Sequence, residues 1–271
     1  MTCDFEEEHI CGWQSDSTAD FNWLRNRGKT RTTGTGPSVD VTTGTRKGYY
    51  MYIETSSPQK EGEKARLISP VESVSGFHNG LCLYFYYHAY GRSIGSMNMY
   101  SIKETDYQGN RTSSSLNPLW TIDTALDDQW YLASVSTDFK DDYRIVFEGV
   151  VGNSVYGDVA IDDLFLSARS CPVPGNCDFE NGDFEFCSWM NSESDDLDWT
   201  IYSPTIAAES GDSIINDNTL GDENGRFMIA SGKPENRVAK IFSEKLVPTS
   251  SSGDCLSFYF YFNGGNFHFF F

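Results

Sequence analysis

The sequence predicts an all-β fold, a two-layer antiparallel sandwich or jelly roll built in tandem, with the second copy incomplete. Three observations carry that reading. Short strand-like segments are set off by polar turns, no window holds a capped apolar repeat of 3.6 residues, and the two ends of the chain are self-similar. In order, the strand segments are residues 49–54, 81–89, 96–102, 130–135, 143–150 and 159–167. Each is rich in β-branched or aromatic residues and bounded by Gly, Asn, Asp or Ser. Residues 169–176, with Pro172, Pro174 and Gly175, read as a brief linker that leaves the two copies little hinge freedom.

The duplication is visible residue by residue. Cys3-Asp4-Phe5-Glu6 recurs as Cys177-Asp178-Phe179-Glu180, and Cys11-Gly12-Trp13 as Cys187-Ser188-Trp189. Asp20-Phe21-Asn22-Trp23 recurs as Asp196-Leu197-Asp198-Trp199, Asp40 with Gly48 as Asp217 with Gly225, and Cys82-Leu83-Tyr84-Phe85-Tyr86 as Cys255-Leu256-Ser257-Phe258-Tyr259. The expected division is a complete domain over 1–172, a linker over 173–176 and a truncated second domain over 177–271. Truncation places the counterpart of Cys171 beyond the chain and leaves Cys255 without its partner. The aromatic run Phe258-Tyr259-Phe260-Tyr261-Phe262, with terminal Phe267-His268-Phe269-Phe270-Phe271, then lacks its pairing strands and reads as an aggregation hazard.

Composition narrows the function. With 39 acidic and 20 basic side chains the net charge is −19, which argues against a nucleic-acid partner. The 39% hydrophobic content supports a packed core. The longest apolar stretch, 81–90, is far short of the ~20 residues that span a bilayer, so this segment is not expected to insert into a membrane. None of the seven cysteines forms a CxxC pair, which removes the usual support for zinc or thioredoxin-like chemistry. The four in the first copy allow three pairings, and arithmetic alone excludes neither the nested nor the crossed one. The short Cys3 to Cys11 interval, repeated as Cys177 to Cys187, favours Cys3–Cys11, Cys82–Cys171 and Cys177–Cys187. Such a framework needs an oxidising compartment. No secretory signal precedes Met1-Thr2-Cys3, so the chain reads as an excerpt of a longer precursor.

With these blocks in place the sequence resembles tandem MAM domains, the extracellular module named after meprins, neuropilin-type receptors and receptor-type tyrosine phosphatases. In the first copy the resemblance rests on Cys3-Asp4-Phe5-Glu6, Asp20-Phe21-Asn22-Trp23, residues 35–44, Gly48-Tyr49-Tyr50-Met51-Tyr52-Ile53-Glu54, Leu67-Ile68-Ser69-Pro70, Leu119-Trp120 and Gly157-Asp158-Val159-Ala160-Ile161-Asp162-Asp163-Leu164. It implies a jelly roll, the cysteine pairing favoured above, and an adhesion or assembly role in a cell-surface or secreted protein. It supplies no catalytic residues.

Catalysis finds no other support. His9, His78, His88 and His268 lack paired-ligand spacing, and neither a G-x-S-x-G nor a phosphate-cradling motif is present. Asp162 and Asp163, as strand neighbours, are expected to face opposite sides. Calcium is the better use for carboxylates, since it takes six to eight oxygens from separate loops. Asp4, Glu6, Asp40 and Asp163 are the expected donors, and the resemblance implies a structural cation. The alternative is that Asp4 and Glu6 serve turn and backbone hydrogen bonds. Trp13, Trp23, Trp120 and Trp130 read as packing residues, with a carbohydrate-stacking platform as the rival. Asn110-Arg111-Thr112 is the one glycosylation sequon, flanked by Gly109 and a Ser-rich stretch. The expected function is a non-enzymatic extracellular module making homophilic or heterophilic protein contacts, the alternative being a carbohydrate-binding jelly roll.

Overall fold

The computed structural model describes residues 2–73, 80–108, 117–137, 139–180, 187–209, 214, 216–230, 237–246, 253 and 255–261. Asn110, His78 and His268 lie outside the described residues. Among the described residues, eleven strands of the first copy form two facing antiparallel sheets, the two layers of a jelly roll. The first sheet runs β3 (Leu24–Arg27), β4 (Tyr49–Tyr52), β11 (Ala160–Ser167), β6 (Cys82–His88), β9 (Tyr131–Ser136), with β1 (Thr2–Cys3) also paired to β11. The second runs β2 (Gln14–Ser15), β5 (Lys64–Ile68), β10 (Tyr143–Val150), β7 (Ser96–Lys103), β8 (Trp120–Ile122).

Period-2 alternation explains why these sequences make these layers. Along β10, Tyr143, Ile145 and Phe147 face inward; along β6, Leu83, Phe85 and Tyr87 face them from the other sheet. Phe85 lies 4.9 Å from the Phe147 ring and 5.1 Å from Trp120, both edge-on. Each fully buried side chain of this kind contributes roughly 1.5–3 kcal/mol. The outer face of the first sheet is covered as well. Residues 28–47 fold over it, held by Tyr50 Oη donating to Gly28 O and by Trp130 Nε1 donating to Val39 O at 2.9 Å.

Disulfides join Cys3 to Cys11, Cys82 to Cys171 and Cys177 to Cys187, and Cys255 is free and exposed. The second copy rebuilds the start of the first. Its β12 (Met190–Asn191) pairs β15 (Ile241–Phe242) as β2 pairs β5, and β13 (Thr200–Tyr202) pairs β14 (Phe227–Ile229) as β3 pairs β4. Even single bonds recur: Asp20 Oδ2 accepts from Lys64 N, and Asp196 Oδ2 from Val238 N.

This second unit lies against β9, the edge of the first sheet. Leu132 N–H points at Met190 Sδ, the Tyr131 and Phe242 rings are 5.4 Å apart, and Ser134 Oγ donates to Glu244 Oε2 at 3.1 Å. An open edge strand is a template for unwanted pairing, so covering it protects the sheet.

Candidate functional site

The expected cation donors sit where three segments meet beside β11. β1 pairs with β11 in the register Cys3↔Leu164, so the next residue, Asp4, emerges beside Asp163. The Cys3–Cys11 disulfide closes the loop that carries Asp4 and Glu6. Asp4 Oδ1 accepts from Glu6 N at 3.1 Å, and Glu6 Oε1 accepts from Tyr49 N at 2.7 Å. Asp40 organises its own loop: it takes Thr43 N at 2.6 Å, Thr43 Oγ1 at 2.8 Å and Thr45 N at 3.1 Å. Gly48 closes against that carboxylate, where an added Cβ would stand 2.0 Å from Oδ2.

The acid pair departs from the strand rule. The register of β11 against β6 shifts between Asp162 and Phe165, and Asp163 has a φ of 43°. This bulge breaks the alternation, so both carboxylates reach the same loop instead of opposite faces. Asp162 Oδ2 accepts from Val41 N at 2.9 Å, and Asp163 Oδ1 accepts from Thr42 Oγ1 at 2.6 Å. Asp162, not singled out as a donor from the sequence, is the fully buried member, and its Oδ1 accepts from Asp163 N. Burial pushes its pKa up to about 8, with the charges of Asp163 and Asp40 adding to the rise. Burial also raises Asp163, helped by the charges of Asp4, Asp40 and Glu6.

The geometry therefore gathers Asp4, Glu6, Asp40, Asp162 and Asp163 into one electrostatic neighbourhood. Their chemistry, hard oxygens from separate loops, suits calcium. The carboxylates nonetheless point to local hydrogen bonds, and no three His, Cys, Asp or Glu side chains among the described residues converge closely enough to hold a metal ion. The second copy repeats the lock. Asp178 Oδ1 accepts from Glu180 N, Glu180 Oε1 from Arg226 N, and Asp217 from the backbone of Thr219, Leu220, Gly221 and Asp222, with Gly225 against it.

The remaining candidates have structural partners. His9 Nδ1 accepts from Cys11 N, and the buried His88 meets Asp128 through Nε2 at 3.2 Å. Burial depresses the His88 pKa, with Asp128 opposing. Trp13, Trp23 and Trp130 are buried, and Trp120 is half-buried against Phe85 and Tyr87. Three of the four rings thus present no open face for a sugar. A cavity of about 220 Å³ lies at the seam between β9 and the second copy, bounded by Trp120, Tyr87, Ser134, Pro174 and Glu244.

The chain is similar to several known proteins. The MAM domain-containing glycosylphosphatidylinositol anchor protein 1 of Gallus gallus is 39% identical over 175 residues, covering 63% of this chain and 18% of that protein. The corresponding anchor protein 2 of Mus musculus is 38% identical over 179 residues, covering 62% of this chain and 18% of its own length. The chain thus spans less than a fifth of either relative. Among solved structures, a cleaved adhesin domain of Lys-gingipain from Porphyromonas gingivalis W83 is 14% identical with a TM-score of 0.45, covering 63% of this chain and 98% of that one. The sequence profile described as MAM domain, meprin/A5/mu, matches residues 3–172 and again 177–269, and the chain belongs to the MAM domain family.

Proposed function

We propose that this chain is a non-enzymatic adhesion or protein-interaction module of a larger extracellular protein, acting through its surfaces rather than through chemistry. The observation that carries the reading is the pair of MAM matches laid on a disulfide framework, because such a framework persists in an oxidising compartment. No helix among the described residues is long and apolar enough to cross a membrane. The relatives are named as glycosylphosphatidylinositol anchor proteins, which supports placement of the parent protein at the cell surface. The module divides into one unit over 1–172 and a second from 177. The seam on β9 supports their working as a fixed tandem, and a glycan on Asn110 belongs to the same extracellular setting.

A structural calcium ion is part of this proposal. Asp4, Glu6, Asp40 and Asp163 would turn from their local hydrogen bonds to hold it, with Asp162 behind them, and it would neutralise the charge gathered there. The adhesion reading is tested by presenting the full chain, as a fluorescent multimer, to cells and to beads coated with the same chain. Bead aggregation, or cell binding that survives heparinase and is lost after trypsin, is the expected result. Neither outcome appearing would overturn the reading. Binding to neutral glycans that is lost in Trp120→Ala would replace it with the carbohydrate alternative.

A further inference from the structure

The whole-chain charge hides one local excess of the opposite sign. Residues 24–47 hold six cations, Arg25, Arg27, Lys29, Arg31, Arg46 and Lys47, against a single acid, Asp40, which is buried and engaged with its own loop. Elsewhere in the first copy four cations find carboxylates: Lys64 and Arg66 meet Glu148, Lys103 meets Asp141 and Arg144 meets Glu104. None of the six forms a salt bridge with a described residue.

The fold draws them together on one edge. β3 is the terminal strand of the first sheet, and Arg25 and Arg27, two apart, share a face. Both guanidinium groups lie over the Tyr49 ring, 3.4 and 5.6 Å from its centroid. Arg46 packs on Gly28, its Cβ 3.7 Å from where a glycine side chain would begin. This sets Arg46 and Lys47 beside Arg27 and Lys29, and all four are exposed. Folding does not require the arrangement. The second copy builds the same ribbon from β13 and β14, yet its residues 200–224 contain five acids and no Lys or Arg.

Gathered cations without counter-ions repel one another and are poised to exchange small ions for a polyanion. The β13–β14 ribbon of a second copy offers a poor match. Its Asp217 is saturated by backbone N–H groups and Asp222 accepts from Asn224 and Gly225. A line of exposed cations along a strand edge suits a line of anions, and guanidinium forks bind sulfate oxygens in pairs. We propose that the β3 edge, with Arg27, Lys29, Arg46 and Lys47 at its centre, docks a linear sulfated polysaccharide. The choice of a polysaccharide among polyanions rests on the extracellular reading above.

The test uses the full chain on immobilised heparin. If four cations each displace a counter-ion, Kd should weaken on the order of 50-fold between about 50 and about 200 mM NaCl. The variant R27S/K29S/R46S/K47S should bind at least ~10-fold more weakly at the lower salt and lose most of that salt response. Its melting curve should be unchanged, since the four side chains are exposed. K60S/K140S, which removes two exposed lysines elsewhere, should leave binding as it was. Equal affinity and salt response in the quadruple variant would overturn the proposal. So would binding to phosphatidylserine vesicles but not to heparin, or patch-dependent dimerisation in sedimentation without heparin binding. The adhesion reading is judged separately, by binding that resists heparinase, so either can fail alone.

Discussion

Removing the long disulfide is the sharpest test of how the first copy is held. Cys82 and Cys171 are 89 residues apart in sequence, whereas Cys3 and Cys11 are 8 apart. In the chain-entropy treatment the longer closure restricts the unfolded chain by ~4.6 kcal/mol and the shorter by ~2.5 kcal/mol. Cys82 starts a central strand and is fully buried beside Tyr84 and Leu132. Opening the bond therefore also frees the segment that brings β11 back toward β6. Cys82→Ala with Cys171→Ala should lower the melting temperature by roughly 9–18 °C, at ~2–4 °C per kcal/mol for a unit of this size. Cys3→Ala with Cys11→Ala should lower it by roughly half as much. Tryptophan fluorescence is a suitable probe, because Trp13, Trp23, Trp120 and Trp130 all report on the first copy. A larger loss from the short pair would refute the reasoning, since loop length would then not be what sets the stabilisation.

Two further outcomes follow from buried and gathered carboxyls. Asp158 Oδ1 accepts from Thr55 N and Oγ1, and burial pushes its pKa up to about 6, opposed by the Thr55 bond and assisted by the charge of Glu54. The folded pKa exceeds the unfolded one, so the proton stabilises the native state at low pH, and that gain is lost as pH rises through about 6. Asp158→Asn should accordingly flatten the change in urea stability between about pH 4 and pH 7 by up to ~3 kcal/mol. Parallel profiles for the two proteins would count against a raised carboxyl. For the cation site, calcium in hundredfold excess over its Kd adds ~2.7 kcal/mol, or roughly 5–10 °C in melting temperature. Chelator should remove that gain, and Asp163→Asn, which keeps an oxygen for the Thr42 hydroxyl, should abolish the difference. Equal melts in calcium and chelator would reduce these acids to hydrogen-bonding groups.

Legibility in the sequence followed the source of each segment's burial. All six strand segments read from β-branched and aromatic enrichment between turn residues correspond to strands, because Leu83, Phe85, Tyr87, Ile145 and Phe147 bury their hydrocarbon in the core. β5 did not stand out as Lys-Ala-Arg-Leu-Ile. Its outward Arg66 is buried by an ion pair to Glu148 at 2.7 Å, a partner 82 residues away that no local pattern announces. The acid pair failed for a different reason. The two-residue period is sound for regular strands, but the bulge at Asp163 is set by how β1, β6 and β11 meet, and that is a tertiary fact. The basic edge was present in the sequence as alternating Arg25, Arg27, Lys29 and Arg31, yet averaging over 39 acids concealed it. Duplication resolves that ambiguity. Where both copies share a feature, such as the Asp40 and Asp217 loops closed by Gly48 and Gly225, the fold demands it. Where they differ at the same structural position, as the β3 and β13 ribbons do in charge, the difference is free to serve binding.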